Sequence, residues 1–306
     1  MTRDETVTSD GSAIDAAAAG GRGKVTFVGA GPGAADLITL RGARAIGAAH
    51  VVIWASSLVQ EEILQHARPG AEIVDSAALP IEGVLPYYER AAAEGLRVAR
   101  VHSGDPALWG AVQEQLDRAR ELGLEVEIVP GVSAFSAVAA LAQRELTIPQ
   151  VAQSVILTRL EGGKTPMPAG ESIRAFAAHG TTMAVFLSAA RSGQLAAELL
   201  AGGYAPDTPV IVASRATWPD EELAQCTVAT LEETVKARKL WKHTLFLVGP
   251  ALGAHGTRSH LYHPGHFHGY RRAERAARAQ LRAAGAGSGA VPASGETRRA
   301  TSADPK

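Results

Sequence analysis

Cysteine is almost missing from this chain: Cys226 is the only one in 306 residues. That excludes an intrachain disulfide and fits a reducing compartment such as the cytoplasm. Net charge is equally scarce, −1 from 30 basic and 31 acidic residues. No global field therefore draws the chain to nucleic acid or to a membrane surface, although a local basic pocket is compatible with this balance. No apolar run approaches the roughly 20 residues of a membrane helix. The opening MTRDETVTSDGSAIDAAAAGGRG has acids early, and Asp15 interrupts its one apolar stretch. It does not read as a secretory signal. A soluble, cytoplasmic protein is the expectation.

What is present is an ordinary globular balance, 46% hydrophobic and 20% charged, in a chain long enough for about two domains. Residues 1–23 are small, polar and glycine-rich, and 273–306 are rich in charge, Ala, Gly, Ser and Pro. Both read as disordered tails. Between them, strand patterns at 25–28, 51–54, 72–74, 97–101 and 125–129 alternate with helical ones. This predicts a parallel sheet covered on both faces. The helices are expected over 38–48, with Asp36 as cap, over 57–67 with Ser57 and Gln60 as a capping box, and over the stretch LPYYERAAAEG. Another begins at Asp105-Pro106, with Pro106 in the first turn, and Gly95 and Gly123 stand at C-cap positions. After the alanine-rich stretch that follows Pro130-Gly131-Val132-Ser133, LTIPQ marks a hinge. A second set of strands, 154–158, 182–187, 209–213, 223–228 and 244–248, has fewer helices between them. Their short connections predict a partly antiparallel sheet. The expected organisation is an N-terminal α/β domain at 24–145 and a dissimilar C-terminal α/β domain at 146–272. Cys226 lies in a strand pattern, ELAQCTVATL, and reads as a core residue rather than a nucleophile.

The stretch 24–41, KVTFVGAGPGAADLITLR, joins a strand to a helix through a glycine-rich turn, where backbone can approach a ligand closely. Gly29, Gly31 and Ala34 satisfy the dinucleotide fingerprint G-x-G-x-x-G/A. Two features oppose it. Pro32 offers no N–H to a pyrophosphate, and the strand at 51–54 runs into Ala55-Ser56-Ser57 with no acid for a ribose. An NAD(P)-dependent oxidoreductase is thus the alternative of a different class, and a non-catalytic binding module is a third. Five histidines, His255, His260, His263, His266 and His268, crowd one segment. No cysteine or convincing acid accompanies them, and no metal is assigned.

The fragments GAGPGAADLITLRG, SLV, SGDPALWG, PGVSAF, RATWPDEE and TLFLVG stand in this order over about residues 24–250. Together they resemble the tetrapyrrole (corrin and porphyrin) methylases, the class III S-adenosylmethionine methyltransferases. LTRLEGGKTPMP and RSHLYHPGHFHGYR are similar to the branch that methylates C11 of precorrin-4 in cobalamin biosynthesis, with cobalt-precorrin-4 as the alternative substrate. Two positions depart from the family pattern: Ala34 replaces an aspartate after GPG, and Trp109 stands where Tyr or Phe is common.

The resemblance implies two dissimilar α/β domains with the active site in the cleft between them, S-adenosylmethionine held there mainly by backbone, and a homodimer. Carried onto this chain, the cofactor contacts are Pro32, Ser103, Gly104, Asp105 and Leu108, then Ser133 and Ala134, then Leu187, Arg215, Ala216, Thr244 and Leu245. Asp105 is expected to position the reactants, and no general base is assigned. A substrate rich in carboxylates calls for basic residues at the rim. Arg159, Lys164, Arg191 and Arg215 are the candidates.

Overall fold

β-Branched and aliphatic runs set two five-stranded sheets side by side in the chain. A computed structural model describes residues 21–162 and 165–286. The first sheet holds β1 (Lys24–Gly29), β2 (Val51–Trp54), β3 (Glu72–Asp75), β4 (Arg97–His102) and β5 (Glu125–Val129), in the order β3-β2-β4-β1-β5. Every pairing is parallel. Alternation along these strands builds two apolar faces. One joins Val25, Phe27, Ile53 and Val98 to Val84, Tyr88 and Ala91 of helix α1 (Ile81–Glu94) and to Leu116 and Ala119 of helix α2 (Val112–Glu121). The other joins Val28, Val52, Ala99 and Val101 to Ile46 of the helix Leu40–Ala48.

The second sheet holds β6 (Val155–Arg159), β7 (Thr182–Phe186), β8 (Pro209–Ser214), β9 (Glu222–Thr227) and β10 (Thr244–Val248), ordered β6-β7-β10-β8-β9. Only β6 and β7 are parallel; β10 runs against both of its neighbours, and β8 and β9 form an antiparallel pair. Helix α3 (Ala134–Leu141), which follows β5, packs Val138 against Ala184, Ile211 and Leu247 of this second sheet. The opposite face is covered by α4 (Ile173–Ala177), α5 (Ser192–Ala201) and α6 (Leu231–Arg238), through Ile173, Leu195, Leu199 and Val235. Residues through His255 form one compact unit. Cys226 sits partly buried in β9, packed against that core, and burial raises its thiol pKa.

Several local expectations are corrected. Residues 57–67 form no capped α-helix: Gln60 is extended and Glu61–His66 is a 3-10 turn, because both Val59 and Ile63 are drawn into the apolar face. Asp36 lies in its own 3-10 turn, Ala35–Leu37, so Thr39 caps the helix Leu40–Ala48 instead, its side chain accepting from the Gly42 N–H. No helix starts at Asp105-Pro106. Trp109 and Ala111 take left-handed backbone conformations, φ 53° and 47°, which delay the helix to Val112.

The unit from Gly256 onward contains a 3-10 turn, His260–Tyr262, and helix α7 (Arg275–Ala286). The helix falls where composition predicted a disordered tail; alanine and arginine are strong helix formers, and no proline or glycine interrupts residues 275–284. His263 and His268 each use Nδ1 to accept a nearby backbone N–H. Among the described residues, no group of three or more His, Cys, Asp or Glu is placed to hold a metal ion. The expected tails at 1–20 and 287–306 lie outside the described residues.

Candidate active site

Parallel strands deliver their following loops to one edge, and here three neighbours do so. β4, β1 and β5 stand side by side and run into the Ser103-Gly104-Asp105, Gly31-Pro32-Gly33 and Gly131-Val132-Ser133 turns. Such an edge is where ligands bind in open α/β sheets. The turns touch backbone to backbone. Gly31 and Gly104 exchange N–H···O bonds of 3.3 and 2.7 Å, and a Cβ on Gly131 would stand 2.0 Å from the Gly104 carbonyl oxygen. Glycine is required at 131 by that approach.

The second sheet presents a matching edge. β7 ends at Phe186 and β8 at Ser214, while antiparallel β10 begins beside them at Thr244. The loop after β8 reaches the glycine turn of the first sheet: Thr217 Oγ1 accepts from the Ala34 N–H at 2.9 Å, and Trp218 Nε1–H donates to the Pro32 carbonyl at 3.2 Å. Between the two edges lies a cavity of about 490 Å³, within the usual range for small-molecule sites.

All twelve residues expected around the cofactor line this one cavity. Ser133 begins α3 in an extended conformation without using its hydroxyl as a cap. Asp105 is the single acidic side chain among the described lining residues, and its Oδ1 accepts the Ala107 N–H at 2.8 Å. Arg215 pairs with Asp220 and lies over the Trp218 ring, 5.5 Å from its centroid. Thr244 spends its hydroxyl on the Lys242 carbonyl, 2.9 Å away, which leaves its backbone and methyl group for the cavity wall.

The wall is also strained. Trp109, Leu187, Arg215 and His243 all have positive φ, from 48° to 54°, although none is a glycine. Leu187 is nonetheless 69% exposed. Left-handed backbone in bulky residues persists where surrounding structure overdetermines it, and such positions gather at functional sites.

Sequence reasoning left several wall residues unassigned. Phe186 meets Trp109 with ring centroids 4.7 Å apart, and His243 stacks on Trp218 at 5.8 Å. Burial first, and then Arg215, lower the His243 pKa, so this imidazole is neutral near pH 7. Trp241 and Leu58 complete the apolar lining. Leu58, Trp109 and Trp218 stood inside quoted motifs without being assigned a contact; Phe186, His243 and Trp241 carry no local signal beyond proximity to one.

The substrate candidates divide. Arg215 lines the cavity, whereas Arg159 and Arg191 do not. Arg159 donates to the carbonyls of Thr165 and Pro166 at 3.0 and 3.2 Å. Arg191 donates to the carbonyls of Glu161 and Leu160. Both guanidiniums thus hold the loop after β6. Lys164 lies outside the described residues.

The family profile described as Tetrapyrrole (Corrin/Porphyrin) Methylases matches residues 24–232. A cobalt-precorrin-4 C(11)-methyltransferase of Methanocaldococcus jannaschii is 42% identical over 253 residues, 82% of this chain and 97% of the relative. A precorrin-4 C(11)-methyltransferase of Pseudomonas aeruginosa is 45% identical, covering 82% and 99%. Among solved structures, a cobalt precorrin-4 methyltransferase of cobalamin biosynthesis superposes with a TM-score of 0.73 at 41% identity, covering 75% of this chain and 95% of that one. A uroporphyrin-III C-methyl transferase from Thermus thermophilus, solved with S-adenosyl homocysteine, gives 0.63 at 28% identity, covering 76% and 99%.

Proposed function

This chain belongs to the tetrapyrrole methylase family, and from that premise we propose that it methylates C11 of precorrin-4, or of its cobalt-bearing form, with S-adenosylmethionine as methyl donor. The observation that carries the reading is the single cavity into which both sheets send their motif loops. Its wall suits S-adenosylmethionine. Glycine contacts that no side chain would fit bring backbone close, and the exposed Trp109 ring offers an aromatic surface that suits a cation. The lone acid, Asp105, is already engaged by the Ala107 N–H.

S-adenosylmethionine supplies an activated methyl group whose sulfur leaves with its bonding electron pair as the new carbon–carbon bond forms. The chain has only to orient the partners and exclude water. Alignment of this kind lowers barriers by roughly 7–11 kcal/mol in well-ordered systems. The cofactor-contact roles of the twelve lining residues, the positioning role of Asp105, the rim role of Arg215 and a cytoplasmic homodimer belong to the same reading. The described residues include no helix long and apolar enough to cross a membrane.

Mass spectrometry of the products tests it. Incubation with S-adenosylmethionine and precorrin-4 or cobalt-precorrin-4 is expected to add one methyl group, mapped to C11, to at least one of them. Relatives carry both names, so the comparison also assigns the metal state of the substrate. A folded chain that methylates neither, or a methyl group at another carbon, refutes the reading.

A further inference from the structure

A second cavity, of about 320 Å³, adjoins the first and shares Leu58, Ser103, Leu108 and Trp109 with it. It opens at the carboxyl end of β4, under the start of α1 at Pro80 and Ile81 and beside Glu114 and Gln115 of α2. Arg100 lies in its wall. Mid-strand arginine in a sheet packed on both faces is unusual, and every partner of this one is neutral. Nε donates to Gln115 Oε1 at 3.1 Å and Nη1 to Ser76 Oγ at 2.8 Å. Ser76 and Gln115 are themselves buried. The Ser76 hydroxyl donates a hydrogen bond to the Trp54 carbonyl, and Tyr88, fully buried, donates to the same Gln115 oxygen.

Among the described residues, no acid forms an ion pair that balances the charge. Burial lowers the Arg100 pKa, yet guanidinium stays protonated in proteins. His102, on the same wall, is held neutral by burial, its pKa pushed down to about 3. Glu114, exposed at the rim, forms no ion pair with Arg100, and among the described residues no other acid does. A partly buried cation with no anion beside it is costly to hold, and a ligand that brings one relieves the cost. The network holds Nε and Nη1 of the guanidinium, and among the described residues none accepts from Nη2.

We propose that Arg100 is a substrate-anchoring residue, whose guanidinium binds one acetate or propionate arm of the tetrapyrrole in this second cavity while the reacting edge of the ring lies in the first. The inference rests on the tetrapyrrole reading above. A carboxylate is the planar anion that matches the fork, and the shared wall at Ser103–Leu108–Trp109 puts such an arm next to the methyl-transfer site. Recognition through a rim carboxylate would discriminate acidic macrocycles from their esters without contacting the reacting carbon.

The test is calorimetric titration of the full chain with uroporphyrin, a tetrapyrrole rimmed only by acetate and propionate, and separately with S-adenosylhomocysteine. Arg100→Gln is expected to weaken uroporphyrin binding by at least about tenfold, and to raise KM for precorrin-4 to a similar degree, as loss of a charge-assisted pair implies. S-adenosylhomocysteine affinity should hold within about twofold, and Arg100→Lys should restore only part of the porphyrin affinity because it lacks the fork. Unchanged uroporphyrin affinity in a folded Arg100→Gln protein overturns the inference, as does an equal loss for S-adenosylhomocysteine. Should that variant not fold, Leu79→Trp carries the test, since Leu79 is a partly exposed wall residue of the same cavity. Narrowing there should cost porphyrin affinity and spare S-adenosylhomocysteine, and no change in either rejects the site. A wild-type chain that methylates precorrin-4 without any dependence on Arg100 overturns this inference alone. One that neither methylates nor binds S-adenosylhomocysteine overturns the reading beneath it.

Discussion

Asp105 shows how one side chain can shape a site without chemistry of its own. Its Oδ1 accepts the Ala107 N–H and holds the turn after Gly104, whose φ of 62° suits glycine. If acceptance is what counts, an amide oxygen can replace a carboxylate oxygen there. Asp105→Asn is therefore expected to keep S-adenosylhomocysteine affinity within about threefold, whereas Asp105→Ala, losing a hydrogen bond of about 1 kcal/mol, should lose fivefold or more. Turnover should follow the same order. Titration calorimetry and initial rates on both variants decide it; equal damage from Asn and Ala would mean that the negative charge itself is needed.

At the scale of elements, the loop between β8 and β9 is the bridge between the sheets. Thr217 and Trp218 hold the backbone of Ala34 and Pro32, and the left-handed residues Arg215 and Thr217, φ 48° and 67°, aim the loop to do so. Trp218→Phe keeps an aromatic ring but removes the indole N–H. The lost bond should cost about 0.5–1.5 kcal/mol of stability, read as a lower midpoint in chemical denaturation. Because the bond ties one cavity wall to the other, S-adenosylhomocysteine affinity should fall as well. A destabilised variant with unaltered affinity would show that the loop supports the fold alone.

Elements of this kind also mark the boundary of what the sequence disclosed. All ten strands surfaced within a residue or so of their expected ends, including those such as EVEIV and RVARVH in which charged and aliphatic residues mix, and the switch from parallel to mostly antiparallel pairing was legible in connection lengths. The start of α2 was not. Asp105-Pro106 is a fair helix opening locally, but the Trp109 ring packs against Phe186, far along the chain, and the backbone turns left-handed to allow it. Motif position brought twelve residues to one cavity: seven follow the adjacent parallel strands of the first sheet, whose loops must meet, and five stand at the facing edge of the second sheet. Charge type alone did not do the same for Arg159 and Arg191. A guanidinium goes to the nearest unpaired carbonyls, and theirs belong to the following loop. Arg100 escaped notice for the converse reason: inside a strand pattern, one polar residue says nothing of what it faces.

At the scale of the compact unit through His255, the two sheets differ in topology yet share one cavity, so a ligand filling it should stabilise both at once. Binding to the folded state alone at about 100 times Kd contributes roughly 2.7 kcal/mol. For a unit of this size that corresponds to a rise of roughly 5–11 °C in unfolding temperature. The location of the effect is more telling than its size. The walls come from the ends of β1, β4 and β5 on one side and of β7, β8 and β10 on the other. Amide exchange should therefore slow in both groups of loops when S-adenosylhomocysteine is added, with the 186–190 and 215–218 segments protected alongside 31–34 and 103–109. Protection confined to the first sheet would mean that the ligand sits on its glycine turns as a dinucleotide does, without engaging the second. Protection on both sides, lost from both in Gly131→Ala, would tie the effect to the backbone approach of Gly131 and Gly104. A Cβ at 131 would overlap the Gly104 oxygen, pushing apart the turns that form the floor, and the second sheet would register that change without any altered residue of its own.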